Sequence, residues 1–138
     1  MGRIFLAYRF TGEDPAELDT ILTGVRDSLE FAGHKVYCTF WESDFFREQN
    51  FTTDQIYMHG LLKVDDNDTF LALIRSPERS KGMVMESARA ISKNKRYVLA
   101  IKRGLEFPEF RKVADVVVEY DGLDELYRQL RMLSVGEI

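Results

Sequence analysis

Five short apolar segments of this chain alternate with segments of helical periodicity, and this alternation restricts the fold more than any other feature. Residues 69–74 (TFLALI) form an uninterrupted apolar run, which is typical of a strand covered on both faces in a parallel sheet. The other predicted strands are residues 3–8, 35–40, 97–101 and 115–120. The pattern predicts an α/β fold, a flavodoxin-like three-layer sandwich whose five-stranded parallel sheet has the order 2-1-3-4-5.

Capping residues and apolar spacing predict the helices between these strands. Asp14 can serve as an N-cap with Pro15 at the first helical position, and Gly33 can end that helix in the left-handed conformation. Residues 41–50 show no regular pattern and are predicted to form an irregular loop. The other predicted helices run from residue 52 or 53 to about 64, from about 82 to 93, weakly over 108–113, and from about 121 to 133.

Composition and charge exclude several classes of protein. With 45% hydrophobic residues, residues 1–138 are expected to fold as one domain. A net charge of −4 argues against binding to polymeric nucleic acid or to an anionic membrane surface, and no apolar stretch approaches the ~20 residues that span a bilayer. Cys38 is the only cysteine, beside two histidines, so we expect no disulfide, no metal and a reducing cytoplasm.

Three loops are expected to form the functional site. In a sheet of this order, ligands bind beyond the carboxyl ends of the strands, near the switch point between strands one and three. The loops that reach this edge are residues 8–14, 41–51 and 75–86.

The third loop carries the strongest chemical signal. Ser80 and Gly82 lie at a strand-to-helix junction, and Glu86 follows near the first turn of the predicted helix. Free backbone N–H groups at a helix start favour an anion, either the Glu86 carboxylate or a bound phosphate. An ionised carboxylate at this edge can attack the anomeric carbon of a sugar, as in retaining glycosidases. The alternative is a glutamate that only stabilises its own helix.

Residues 80–90 (SKGMVMESARA), followed by residues 94–98, resemble the Ser-x-Gly-x-x-x-Glu signature of nucleoside 2-deoxyribosyltransferases and the related deoxynucleoside monophosphate N-glycosidases. The apolar strand led by Asp68, and the loop after the first strand that contains Gly12, are similar as well. The resemblance implies Glu86 as the nucleophile, cleavage or transfer at the N-glycosidic bond of a nucleoside or its monophosphate, no metal or other cofactor, and a homodimer.

The chain departs from that family pattern at two positions. Phe5 stands where the first strand usually carries an aromatic hydroxyl, so we expect Tyr8 to serve in its place. The aspartate of the second helix that assists the leaving base falls on Gly60, so another residue must protonate the base. The nearby candidates for that acid are His59, Asp65 and Asp66.

A second resemblance implies a different substrate. Residues 5–9 (FLAYR) and 11–14 (TGED) are similar to the opening of TIR domains, whose NAD-cleaving members also place a glutamate after the third-strand loop. Glu86 would fill that role too, so both resemblances imply cleavage of an N-glycosidic bond. A third alternative is a module of the same fold that binds a nucleotide or signals without catalysis, since Phe5 and Gly60 replace expected helper residues.

Basic and aromatic side chains of the three loops are expected to bind the ligand. Arginine suits bidentate contacts with a phosphate, and an aromatic face can stack on a base. The alternatives are solvated loop charges and aromatic core packing. The predicted catalytic residues are Glu86 and Tyr8, and the predicted substrate-binding residues are Arg9, Phe10, Gly12, Trp41, Asp68, Arg75, Ser80 and Gly82.

Overall fold

The structure is a computed structural model that describes residues 2–134. Its strands are β1 Gly2–Ala7, β2 His34–Tyr37, β3 Thr69–Ile74, β4 Arg96–Lys102 and β5 Val116–Tyr120. Its α-helices are α1 Pro15–Phe31, α2 Ser43–Glu48, α3 Thr53–Asp65, α4 Lys81–Ser92, α5 Pro108–Val113 and α6 Leu123–Arg131. All five strands pair in parallel in the order β2-β1-β3-β4-β5, which confirms the predicted flavodoxin-like fold.

Two apolar clusters cover the two faces of the sheet. Alternate residues of β3 point to opposite faces, so Leu71 packs with α1 and α6, whereas Phe70 packs on the side of α3, α4 and α5. Phe70 stands beside Tyr97 of β4, with ring centroids 5.1 Å apart. The continuous apolar run of β3 is therefore explained by burial on both faces.

Capping interactions set the ends of the helices that flank the functional edge. The Asp14 side chain accepts a hydrogen bond from the Ala16 N–H at 3.2 Å, and Gly33 has a φ of +100° after α1. Thr52 and Gln55 form a reciprocal capping box at the start of α3. These predicted helix ends are confirmed.

The predicted irregular loop over residues 41–50 is wrong. Thr39–Glu42 forms a 3₁₀-helix, and α2 follows directly. Phe46 is buried in α2, and its ring stacks on Phe51 with a centroid separation of 5.3 Å. Because this contact joins α2 to the segment that follows it, packing stabilises a helix too short to form alone.

Two features are absent from the described residues. None of the helices between residues 2 and 134 combines the length and the apolar character that crossing a bilayer requires. Over the same residues, no three acidic, histidine or cysteine side chains are grouped as metal ligands.

Replacing Gly24 with Ala is expected to destabilise the fold. An ideal Cβ at Gly24 would lie 2.3 Å from Cζ of Tyr127, because α1 and α6 pack closely at this point. Overpacking of this kind costs about 1–3 kcal/mol, more than the gain of about 1 kcal/mol in helix propensity. Urea unfolding should therefore show a lower free energy of unfolding. With Tyr127→Ala as the background, Gly24→Ala should stabilise instead, and destabilisation in both backgrounds would contradict this explanation.

Candidate active site

A cavity of about 780 Å³ opens at the carboxyl end of the sheet. The loop after β1, the segment around α2, the first turns of α3 and the start of α4 surround it. Glu86 is the only carboxyl group among the described residues that line it, against four basic side chains. These basic residues are Arg9, Arg47, Arg79 and Lys81. Carboxylates outside the cavity lining pair with the three arginines, at 3.2 Å for Arg9, 3.0 Å for Arg47 and 2.6 Å for Arg79. The arginine N–H groups and the Lys81 ammonium that face the cavity are suited to contacts with an anionic ligand.

Glu86 lies deeper in α4 than the sequence predicts. Ser80 is the N-cap, and its Oγ accepts a hydrogen bond from the Met83 N–H at 3.2 Å. Glu86 is consequently the sixth residue of the helix, beyond the free N–H groups of the first turn. The expected position near the first turn is wrong, so the helix start has little direct effect on this carboxyl group.

The Glu86 side chain extends from α4 to the backbone of α3. Its Oε2 lies 2.9 Å from the position that a Cβ would take at Gly60. A larger residue at position 60 would displace the carboxyl group. Gly60 therefore accommodates Glu86, at the position where the family resemblance leads one to expect an aspartate.

Desolvation controls the protonation of Glu86, whose side chain is half-buried at the wall of the cavity. Its carboxyl group forms no hydrogen bond and no ion pair with the rest of the described chain, and desolvation raises its pKa to about 8. The expectation of a carboxylate kept ionised by the helix start is thus replaced by a carboxyl group that holds its proton near neutral pH. A ligand that supplies positive charge would favour the ionised form.

Tyr8 lies directly after β1 and lines the same cavity. Burial raises the pKa of its hydroxyl far above the usual range, and the nearby Cys38 and Glu86 raise it further. Its ring meets Phe40 edge-on at a centroid distance of 5.8 Å. Tyr8 therefore presents a neutral hydroxyl that is close enough to Glu86 to respond to its charge.

The structure brings most of the other predicted site residues to this edge of the sheet. Arg9, Phe10, Ser80 and Gly82 line the cavity together with Glu86 and Tyr8.

The absence of a side chain at Gly12 leaves room for the Arg9 guanidinium. The Arg9 Nη2 atom lies 3.2 Å from the ideal Cβ position of Gly12, which has a φ of +81° that favours glycine. Glu13 accepts a hydrogen bond from Arg9 at 3.2 Å and pairs with Arg75 at 3.5 Å. Arg75 lines a neighbouring cavity of about 20 Å³, which shares Tyr8, Arg9 and Ser80 with the larger one. Both arginines are thus held in place by one carboxylate.

Trp41 and Asp68 lie away from the cavity. Trp41 packs against the apolar cluster beneath α1, where the Arg26 guanidinium lies 5.1 Å from its ring centroid. Asp68 precedes β3, at the amino end of the sheet, and accepts a hydrogen bond from the Arg3 N–H at 3.2 Å. The early 3₁₀ turn after β2 explains the position of Trp41, and strand direction explains that of Asp68. The structure therefore does not support the assignment of these two residues to substrate binding.

None of the three candidate acids near Gly60 lines the cavity. His59 Nε2 lies 3.0 Å from Glu42 Oε1, and Asp65 receives two hydrogen bonds from Arg89 at 2.8 and 2.6 Å. Asp66 pairs with Lys63 at 3.9 Å. All three side chains are therefore engaged outside the cavity.

Sequence reasoning missed Tyr57 at the cavity and the hydrogen bonds of Glu42. Tyr57 lines the cavity, and its Cε1 lies 3.3 Å from the ideal Cβ position of Gly82. Its place three residues before Gly60 was a usable signal, because such residues share a helix face.

Glu42 accepts hydrogen bonds from Tyr37 and His59. Burial opposes the ionised form of Glu42, but these hydrogen bonds hold its pKa below the usual value. No local sequence pattern indicates that Glu42 joins Tyr37 and His59.

No protein-family model matches this chain, and no curated protein sequence matches it. The CMP N-glycosidase BcmB from Clostridium botulinum has a similar fold, with a TM-score of 0.68 and 18% identity over 94% of this chain and 98% of that one. A conserved protein from Enterococcus faecalis has a TM-score of 0.63 and 14% identity over 96% of this chain and 98% of that one. A response regulator receiver domain protein from Clostridium thermocellum has a TM-score of 0.55 and 12% identity over 96% of this chain and 93% of that one. At these identities the comparisons show the fold alone.

Burial of Glu86 should make the stability of the protein depend on pH. Because the folded state holds this proton up to about pH 8, whereas an unfolded chain releases it near pH ~4.3, stability should fall between these values by at most about 1.4 kcal/mol per pH unit. Glu86→Gln removes this dependence. Its advantage in urea unfolding should grow from pH 5 to pH 8, while exposed Glu48→Gln should show no such trend. An advantage of constant size would contradict the assignment.

Proposed function

We propose that this protein cleaves the N-glycosidic bond of a nucleoside monophosphate, with Glu86 as the nucleophile. The observation that carries the proposal is a lone carboxyl group in a large cavity that is otherwise basic and aromatic. Such a group has no structural partner to justify the cost of its burial. Buried ionisable groups with shifted pKa values in a cavity are typical of catalytic residues.

The basic side of the cavity is proposed to bind the phosphate. Arg9 and Ser80 line it together with the glycine backbone at Gly82, next to the N–H groups at the start of α4. Arginine supplies paired donors, and a helix start favours an anion. We assign Arg75 a supporting part, since Glu13 joins it to Arg9.

The aromatic side is proposed to hold the base. Phe46 and Phe51 form a stacked wall, and Phe10 is 54% exposed at the rim. Flat apolar faces suit a base without fixing its hydrogen-bond pattern. With the base on this wall, the Glu86 carboxylate attacks the anomeric carbon, and water then hydrolyses the glycosyl intermediate. Tyr8 is proposed to donate a hydrogen bond to the reacting carboxylate.

The similar fold of a CMP N-glycosidase supports this proposal, since the same scaffold carries that reaction in the other protein. We favour nucleoside or nucleotide N-glycosidic cleavage over a module that only binds, because nothing else within residues 2–134 explains the unpartnered Glu86. We also propose that residues 1–138 act as one domain in the cytoplasm, where the buried thiol of Cys38 stays reduced.

A homodimer is the second part of the proposal. The adjacent helices α3 and α4 expose four large apolar side chains, and a grouping of exposed apolar side chains is typical of an interaction surface. Met58 and Leu62 are 57% and 54% exposed, and Val84 and Ile91 are each 45% exposed. A twofold contact would cover this face on both copies.

Glu86→Gln should abolish catalysis without loss of fold. We expect the rate of base release from CMP or another nucleoside monophosphate to fall by more than about 10³-fold, because an amide cannot form the glycosyl ester. Chromatography of the free base and the sugar phosphate provides the measurement. The exposed Glu48→Gln variant is the matched control and should retain the wild-type rate. Undiminished cleavage by Glu86→Gln, or tight binding of every nucleotide without any product, would refute the catalytic proposal.

Charge on the α3 and α4 face should separate the subunits. We expect wild-type protein to sediment at twice the 16.1 kDa chain mass and Met58→Glu/Leu62→Glu to sediment as a monomer. Phe31→Glu is the control, because Phe31 is 77% exposed but lies on α1, on the other face of the sheet. Dissociation by both variants, or by neither, would count against this interface.

A further inference from the structure

Among residues 2–134, no carboxyl or imidazole group besides Glu86 lines the cavity to protonate a leaving base. When an N-glycosidic bond breaks, its electron pair stays on the base nitrogen, so a neutral base needs a proton to leave easily. Apart from Glu86, the ionisable residues that line the described cavity are arginines, one lysine and tyrosines, which are residue types that keep their protons at neutral pH. Burial makes Tyr8 an even weaker acid than usual.

The position beside Glu86 offers no acid either. Gly60 has no side chain, and Glu86 Oε2 lies 2.9 Å from the position that a Cβ would take there. The nearest alternatives are bonded elsewhere, His59 to Glu42 and Asp65 to Arg89. Glu86 itself cannot be the nucleophile and hold the proton for the base at the same time. In the part of the chain that the structure describes, the site thus has a candidate nucleophile and no carboxylic or imidazole acid beside it.

We propose that the substrate is a nucleotide whose base already carries a positive charge on the ring that contains the glycosidic nitrogen, such as a pyridinium or an N-alkylated purine. This inference rests on the proposed function and narrows its substrate class. A base of this kind leaves as a neutral molecule, so the missing acid is not needed.

The Glu86 carboxyl group itself favours such a cation, whereas the basic side chains of the cavity are assigned to the phosphate. A positive charge beside an unpartnered carboxyl group promotes its ionisation, and an ionised Glu86 is the form that attacks. The half-buried Phe51 and Phe10, which is 54% exposed, line the cavity and provide aromatic surface for a flat cation. The charge of the substrate therefore activates the nucleophile and improves the leaving group together.

The reaction balances without a further reactant except water. The Glu86 carboxylate oxygen forms a bond to the anomeric carbon as the bond from that carbon to the base nitrogen breaks, and its electron pair neutralises the cationic ring. Water then attacks the anomeric carbon, the bond to Glu86 breaks, and one proton passes to solvent. The products are a neutral base, the sugar phosphate and a proton.

Two matched pairs of nucleotides test the inference. The first pair is 7-methylguanosine 5′-monophosphate and guanosine 5′-monophosphate, which differ by one methyl group and its charge. The second is nicotinamide mononucleotide and CMP, which each carry a single six-membered ring. The rate of base release is measured with wild-type protein and with Glu86→Gln, which corrects for uncatalysed cleavage. We expect kcat/KM to be at least about 10²-fold higher for the cationic member of each pair, the usual contribution of a general acid.

The outcomes separate this inference from the proposed function. Equal rates within each pair, or faster cleavage of the neutral members, with dependence on Glu86, would overturn the cationic substrate and leave the N-glycosidase standing. A preference in one pair alone would also overturn the inference, because such a preference would depend on ring size or shape rather than on charge. No cleavage of any of the four, or cleavage that Glu86→Gln retains, would overturn both.

Discussion

The burial of β3 and β4 on both faces is the constraint on which the rest of this structure depends. Neither strand can face water, so helices must cover the sheet on both sides, and the helical connections between consecutive strands allow all five strands to run in parallel. Parallel strands place all their carboxyl ends at one edge. The loops after β1 and β3 therefore meet there, although about 70 residues of sequence separate Tyr8 from Ser80 and the start of α4.

Desolvation decides the chemistry of that edge. A helix start would lower the pKa of a nearby carboxyl group, but Glu86 lies past the first turn and contacts the backbone at Gly60. Removal from water is then the stronger effect, and the carboxyl group favours its protonated form. An unpartnered acid among basic and aromatic neighbours has a high free energy until a ligand arrives, which is the physical basis of the proposed catalytic function.

Prediction from the sequence was most accurate where one local rule controls the structure. The bounds predicted for β3 and α5 coincide with the observed Thr69–Ile74 and Pro108–Val113, because an uninterrupted apolar run and a proline at a helix start are local signals. Residues 41–50 had no such signal. Their short helix depends on Phe46 packing against Phe51 and His59, which only the folded chain brings together.

The sequence by itself determined the α/β class, the strand order and the edge of the sheet where Glu86 lies, because periodicity and connection rules are properties of the chain. Only the tertiary structure decided that Trp41 packs beneath α1, that Asp68 faces the opposite edge, and that no other carboxyl group from residues 2–134 lines the cavity beside Glu86. The physical reason is that solvation and partner choice depend on neighbours from distant segments. At Glu86 the neighbour is a glycine in another helix, and no pattern local to α4 reveals it.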